Sequence, residues 1–286
     1  MGKLEKLNIA PVANHREREK GVIVYPVYSR RSAGLSIGIN LFPDKKSCAF
    51  DCPYCEVFPF SNSSRFSYEQ MEDDLRAAVF SAQEKNIPIR DICFSGNGEP
   101  TMSPFFFDAF NLAQNIRTQQ APEAVIVVIT NAAGLSQPDV FSFLKKAADA
   151  VLDGGNPSLD IWLKLDAGTP GWYQKINRCA LPFDNLIEKI KEFSACAAVT
   201  IQTMLCAVNG EPPPEEEALA REKLTLALAE NASGGIRKVQ LYGKARPAPE
   251  DPLASPLPRE YLEKRAASLR NLFSQNSLSI PVEVYL

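Results

Sequence analysis

The sequence is poor in several features that would have fixed its class at once. It has a single histidine, His15, set in a charged N-terminal stretch and read as solvated rather than catalytic. No apolar run approaches the length needed to span a membrane, so none is expected to. The first twenty residues are charged and lack an apolar core segment, so no signal peptide is expected. Lys6 stands where a myristoylation signal needs Ser or Thr. Positive charge is not in excess: 31 Lys and Arg stand against 34 Asp and Glu, a net charge of −3. A protein built to grip a nucleic-acid backbone usually shows a basic balance or stripe. The small clusters Arg30-Arg31, Lys45-Lys46, and Lys244 with Arg246 are read as solvated surface. There is no internal repeat and no low-complexity tract, and the run Glu211-Pro212-Pro213-Pro214 reads as a loop before a helix.

The seven cysteines are an odd number, and three of them cluster, which argues for a reducing compartment and metal ligation over a disulfide framework. The expected location is the cytoplasm. At 45% hydrophobic and 23% charged, the composition is that of an ordinary globular protein with a sizeable core.

The cluster is Cys48, Cys52 and Cys55, in Lys46-Ser47-Cys48-Ala49-Phe50-Asp51-Cys52-Pro53-Tyr54-Cys55. Thiolates suit zinc and iron–sulfur clusters. Closed structural sites take four ligands, and the local set stops at three. A metal site one protein ligand short keeps a position open for a reactant. A zinc knuckle stays open as the alternative.

This loop resembles that of the radical S-adenosylmethionine (SAM) enzymes. The resemblance implies a four-iron, four-sulfur (4Fe-4S) cluster on the three cysteines. The remaining iron would bind SAM, and electron transfer would cleave SAM to methionine and a 5′-deoxyadenosyl radical. Tyr54 matches the aromatic that the family places near the adenine.

A second signature, Phe94-Ser95-Gly96-Asn97-Gly98-Glu99-Pro100-Thr101, follows the second expected strand. Its glycines admit close backbone approach, and Glu99 supplies an anionic acceptor. Thr101 replaces the third glycine of a dinucleotide fingerprint, which therefore fails. The run resembles the family's Gly-Gly-Glu-Pro motif. That implies SAM contacts from Gly96, Asn97, Gly98 and Glu99. Asn131, in Thr130-Asn131-Ala132, falls where the family places another SAM contact, with Ala132 departing from the usual glycine. Asp166 lies where relatives contact the ribose.

Apolar runs alternate with helical patterns from residue 21 onward, giving six βα units and a terminal strand. The expected fold is α/β, a partial (β/α)6 TIM-like barrel of the radical SAM type, with an open doubly wound sheet as fallback. The expected organisation is a polar extension over 1–20 and one core domain over 21–286, closed by a C-terminal helix and strand. In such barrels the chemistry sits at the C-terminal ends of strands, where the cysteine loop falls.

Period two puts Lys164 with Asp166, Thr200 with Gln202, Met204 and Cys206, and Gln240 with Tyr242, each set on one face of its strand. Gln202 and Gln240 are therefore candidates for the cofactor-facing lumen. Lys164 is the candidate catalytic residue, as Schiff base or general base, with an ion pair to Asp166 or Glu99 as the preferred alternative. Cys93, Cys179, Cys196 and Cys206 have no short paired spacing and read as core.

Residues 29–41, Lys164-Leu165-Asp166-Ala167 and Val239–Pro247 resemble the uncharacterised Fe-S oxidoreductase group related to wyosine-tRNA synthases. The expected partners are a small-molecule or peptide substrate and an external electron donor such as flavodoxin or ferredoxin. A tRNA substrate and a non-enzymatic zinc-binding module stay open as alternatives.

Overall fold

The computed structural model describes residues 21–149, 158–230, 235–250 and 253–286. The extension over 1–20 with His15 lies outside the described residues, as does Ala150, where the sequence predicts the end of a helix that begins at Pro138. The chain forms two compact units. Of the described residues, one takes in 21–48, 59–129, 147–149 and 158–160, and the other 49–58, 130–146, 161–230, 235–250 and 253–286.

In the first unit, β1 (Val24–Ser29) and β2 (Gly34–Ile39) form an antiparallel hairpin. Its turn has Ala33 in the left-handed region (φ 54°). β2 then pairs in parallel with β3 (Ile89–Phe94), and β3 with β4 (Val125–Thr130). The helices α1 (Tyr68–Glu84) and α2 (Phe106–Gln120) follow β2 and β3. Ser67 caps α1 as its sequence suggests, its hydroxyl accepting from the Gln70 N–H at 3.2 Å. Met71, Leu75, Ala78, Val79 and Ala82 make the buried stripe of α1, spaced three and four residues apart. Phe94 of β3 packs against Phe106 and Phe110 of α2, with ring centroids 5.7 and 5.9 Å apart.

In the second unit, β5 (Leu159–Lys164, its last four residues in this unit), β6 (Val199–Val208), β7 (Ile236–Gly243) and β9 (Val282–Tyr285) run parallel in that order. The short β8 (Ala254–Pro256) pairs antiparallel with the end of β6. The helices are α3 (Pro138–Ala148, its first nine residues in this unit), α4 (Pro170–Ile176), α5 (Phe183–Ser194), α6 (Glu215–Glu230) and α7 (Arg259–Gln275).

Parallel strands buried on both faces read as continuous apolar sequence, and β4 (Val-Ile-Val-Val-Ile-Thr) does. β6 is buried at all ten positions yet carries Thr200, Gln202 and Thr203, so polar groups lie inside. The expected strand over Ile161–Asp166 ends at Lys164 instead. Pairing continues one residue further, with the Leu165 N–H donating to the Gln202 carbonyl at 2.8 Å, and Asp166 stands just past the strand end.

Candidate active site

In the first unit the Gly-Asn-Gly-Glu turn follows β3 and holds the residue just before Cys48. Ser47 donates its N–H to the Asn97 carbonyl at 2.9 Å, and its own carbonyl accepts from the Glu99 N–H at 2.9 Å. A Cβ on Gly98 would stand 1.9 Å from the Ser47 carbonyl oxygen, so only glycine admits this approach. Gly96 has φ +128°, and a Cβ there would press on Asn40. The Asn40 side-chain oxygen accepts from the N–H groups of Phe42 and Asn97, and the Asn97 amide donates to the Phe42 carbonyl. Glu99 is 2% exposed, and its Oε1 accepts from the Thr101 N–H (3.1 Å) and hydroxyl (2.5 Å), capping a 3-10 turn over Pro100–Met102.

In the second unit Asp166 gathers four donors. Its Oδ2 accepts from the Tyr54 hydroxyl at 2.5 Å and the Asn177 amide at 2.9 Å. Its Oδ1 accepts from the Met204 N–H at 2.9 Å and Lys164 Nζ at 3.3 Å. A carboxylate offers about four lone-pair sites, so the set is filled. Lys164 also donates to the Tyr242 hydroxyl at 2.5 Å, and its ammonium lies 5.0 and 5.1 Å from the Tyr54 and Tyr242 ring centroids. Burial works against this charge, but Asp166, Tyr242 and Cys52 outweigh burial and push the amine above the ordinary lysine range. Of the expected partners for Lys164, Asp166 is therefore the one it takes.

The Cys52 thiol is pushed up to about 12, first by burial and then by Asp166, with Lys164 and hydrogen bonds from Tyr54 and Asn177 pulling back. The Cys55 N–H donates to the Cys52 carbonyl at 3.0 Å, closing a tight turn across Pro53-Tyr54. None of the seven cysteines forms a disulfide. Cys93, Cys179 and Cys206 are buried and Cys196 half-buried, as expected of core cysteines.

Gln202 and Gln240 are fully buried and bonded to each other at 2.7 Å. Strand register places Lys164, Gln202, Gln240 and Glu283 on one row across β5, β6, β7 and β9. Asn131 shapes the turn after β4: its Oδ1 accepts from the Ala133 N–H at 2.9 Å, and Ala132 is left-handed (φ 66°). Glycine takes that conformation at lower cost, which explains why Ala132 stands out.

Glu217 of α6 is the buried brace behind Asp166. It accepts from the Gly168 N–H and the Thr169 hydroxyl, both at 2.6 Å. Asn177, whose amide donates to both Asp166 and Cys52, is not among the residues expected from the sequence. It caps the C-terminus of α4, and Thr169-Pro170, an N-cap followed by a first-turn proline, was the available sign of that helix.

These side chains fit the group that the resemblance implies. Three cysteines stand in one short loop, and the Asn177 amide N–H is aimed at the sulfur of one of them, Cys52. Among the described residues, no group of three His, Cys, Asp or Glu converges on a single-ion position.

Comparison with solved structures defines the fold. A radical SAM methyltransferase from Sphaerobacter thermophilus superposes with TM-score 0.63 at 16% identity, covering 92% of this chain and 69% of that one. Streptococcus suis SuiB bound to its precursor peptide SuiA gives 0.61 at 12%, covering 89% and 50%. TYW1 with a lysine–pyruvate adduct bound gives 0.54 at 14%, covering 82% and 73%. The chain is thus an α/β protein with the partial (β/α)6 barrel fold of the radical SAM type.

Among curated proteins, a UPF0026 protein of Helicobacter pylori is 31% identical over 102 residues, 34% of this chain and 30% of that protein. A UPF0026 protein of Methanocaldococcus jannaschii is 32% identical over 123 residues, 40% of this chain and 34% of that protein. The chain therefore spans about a third of the length of the curated relatives it matches. No protein-family model matches it.

Proposed function

We propose that this chain is a radical SAM enzyme whose Cys48, Cys52 and Cys55 hold a 4Fe-4S cluster. The cluster, when bound, supplies the electron that cleaves SAM and yields a hydrogen-abstracting 5′-deoxyadenosyl radical. The observation that carries this reading is the bracing of the cysteine loop. Ser47, before Cys48, is bonded to the Gly-Asn-Gly-Glu turn, and Tyr54, before Cys55, is bonded to Asp166. Gly96, Asn97, Gly98, Glu99 and Asn131 line the turns proposed to receive SAM. Tyr54 offers its ring near the adenine. Asp166 acts through Tyr54, Asn177 and Lys164, since its acceptor positions are filled by them and by the Met204 N–H. Gln202 and Gln240 shape the row beneath.

Lys164 serves here as a fixed cation. Imine formation needs a neutral amine, and Asp166 and Tyr242 hold this one protonated. The lysine–pyruvate adduct of TYW1 is therefore not the chemistry we assign to it.

Anaerobic reconstitution tests the reading. Wild-type protein should take up iron and sulfide, show broad brown absorption, and release 5′-deoxyadenosine from SAM on reduction. Each of Cys48→Ala, Cys52→Ala and Cys55→Ala should lose the cluster, whereas Cys179→Ala and Cys196→Ala should keep it. A triple variant that still holds the cluster would overturn the assignment, and a zinc-loaded wild type would favour an interaction module.

The substrate we assign is a small molecule or peptide, reached in the cytoplasm with electrons from a flavodoxin- or ferredoxin-class donor. The net charge is −3. Arg246 is paired with Glu56 at 2.9 Å, and Lys244 donates to the Arg246 carbonyl, so this cluster is committed internally. No helix among the described residues is long and apolar enough to cross a membrane. The alternative is a tRNA substrate.

A further inference from the structure

We infer that Asn177 is a positioning residue that sets the reduction potential of the cluster through a hydrogen bond to Cys52; this rests on the ligand reading above. Asn177 is 2% exposed and ends α4, where the following Arg178 turns left-handed (φ 45°). Its carbonyl accepts from the Asp51 N–H at 3.0 Å, so its backbone holds the residue next to Cys52. Its Nδ2 lies 2.9 Å from Asp166 Oδ2 and 3.4 Å from Cys52 Sγ.

An amide carries two N–H donors on nitrogen and none on oxygen. The carboxylate of Asp166 is met by donors on every side, so the amide must turn its nitrogen, not its oxygen, toward it. That orientation leaves the second N–H for the sulfur. Asp166 thus fixes the direction in which Asn177 presents a hydrogen to Cys52.

A thiolate ligand becomes a stronger acceptor when its cluster gains an electron. A fixed N–H donor therefore favours the reduced form, and hydrogen bonds to sulfur are among the features that set cluster potentials. The step is a one-electron reduction in which dithionite, or a ferredoxin-class protein, is oxidised and the cluster reduced. No bond breaks and no proton moves. Removing the donor should shift the ratio of reduced to oxidised cluster about tenfold toward oxidised, which is about 59 mV for one electron.

The test is a redox titration of reconstituted protein followed by EPR, comparing wild type with Asn177→Leu and Asn177→Ala. Both variants should keep the cluster and show potentials lowered by about this amount. A role confined to folding would move the melting temperature and leave the potential where it was. Unchanged potentials in cluster-loaded variants overturn the inference on Asn177 alone. A wild type that takes up no cluster overturns the ligand reading beneath it. If neither variant folds or loads, pulsed EPR on the reduced wild-type cluster in deuterated buffer replaces them. An exchangeable deuteron coupled to the cluster together with a weakly coupled amide nitrogen supports the bond, and the absence of both overturns it.

Discussion

Replacing Asp166 by asparagine keeps the shape of the side chain and removes its charge, which makes it the sharpest test of the second unit. The native carboxylate faces the Met204 N–H and Lys164 on one oxygen and the Tyr54 hydroxyl and Asn177 amide on the other. Whichever way the new amide turns, its NH2 meets groups that were donating. The Tyr54 hydroxyl can reverse and accept, but a backbone N–H, an ammonium and the Asn177 amide nitrogen cannot. At least one buried donor is left unmatched, and Lys164 loses its counter-charge. Breaking a buried ion pair by removing one partner costs about 3–5 kcal/mol. Tyr242 and two aromatic faces still hold the ammonium, and the Lys164 side chain is 14% exposed, so we take the lower end, about 3 kcal/mol. At about 2–4 °C per kcal/mol for a chain of a few hundred residues, melting should fall by about 6–12 °C. Thermal unfolding of the apoprotein by circular dichroism reads this directly. A shift within about 2 °C would refute the donor count around Asp166.

Gly98→Ala should be as damaging in the first unit, because its Cβ meets a backbone oxygen that cannot move without breaking the two Ser47 hydrogen bonds; a loss of about 2–4 kcal/mol in denaturant unfolding, with failure to load iron, is expected. Glu99→Ala should keep its cluster and bind SAM on the order of ten- to a hundredfold more weakly by isothermal titration, the worth of one charge-assisted hydrogen bond. Because the Lys164 amine is raised in the fold, its stabilisation is full below about pH 10.4, the unfolded value, and is lost as pH climbs through the folded value above it. Alkaline denaturation should therefore begin earlier in Asp166→Asn than in wild type. Bulk tRNA should bind weakly at both low and moderate salt; submicromolar binding that collapses with salt, and with charge reversal at Arg30 and Arg31, would move the substrate reading to nucleic acid.

The strands that read as unbroken apolar runs were legible because burial on both faces leaves no other composition for them. β1 was not. Pro26 sits within it, and proline in a strand signals an edge or no strand at all. The structure gives it the edge position, paired with β2 alone among the described strands. α4 was signposted by Thr169-Pro170, yet at Pro170–Ile176 it is too short to show a periodic stripe. The cysteines and glycines were legible for a different reason: their chemistry and conformation are rare enough to stand out by spacing alone.

Asn177 and the filled state of Asp166 could not be read, because both depend on distances between residues far apart in the chain. Period two puts Lys164 and Asp166 on one side of an expected strand, but it says nothing about how many donors a carboxylate will meet. That count changes the role of Asp166. An acceptor with an empty lone pair would be available to a ribose hydroxyl. One already matched by a tyrosine, an amide, a backbone N–H and an ammonium can take a new donor only by giving up an old one. Two of those donors, Tyr54 and Asn177, also hold or touch the cysteine loop, and Glu217 braces the turn two residues beyond Asp166. The hydrogen bonds of Asp166 fix the direction of the Tyr54, Asn177 and Lys164 side chains. Its loss should appear first in stability and cluster potential, and only through them in SAM cleavage.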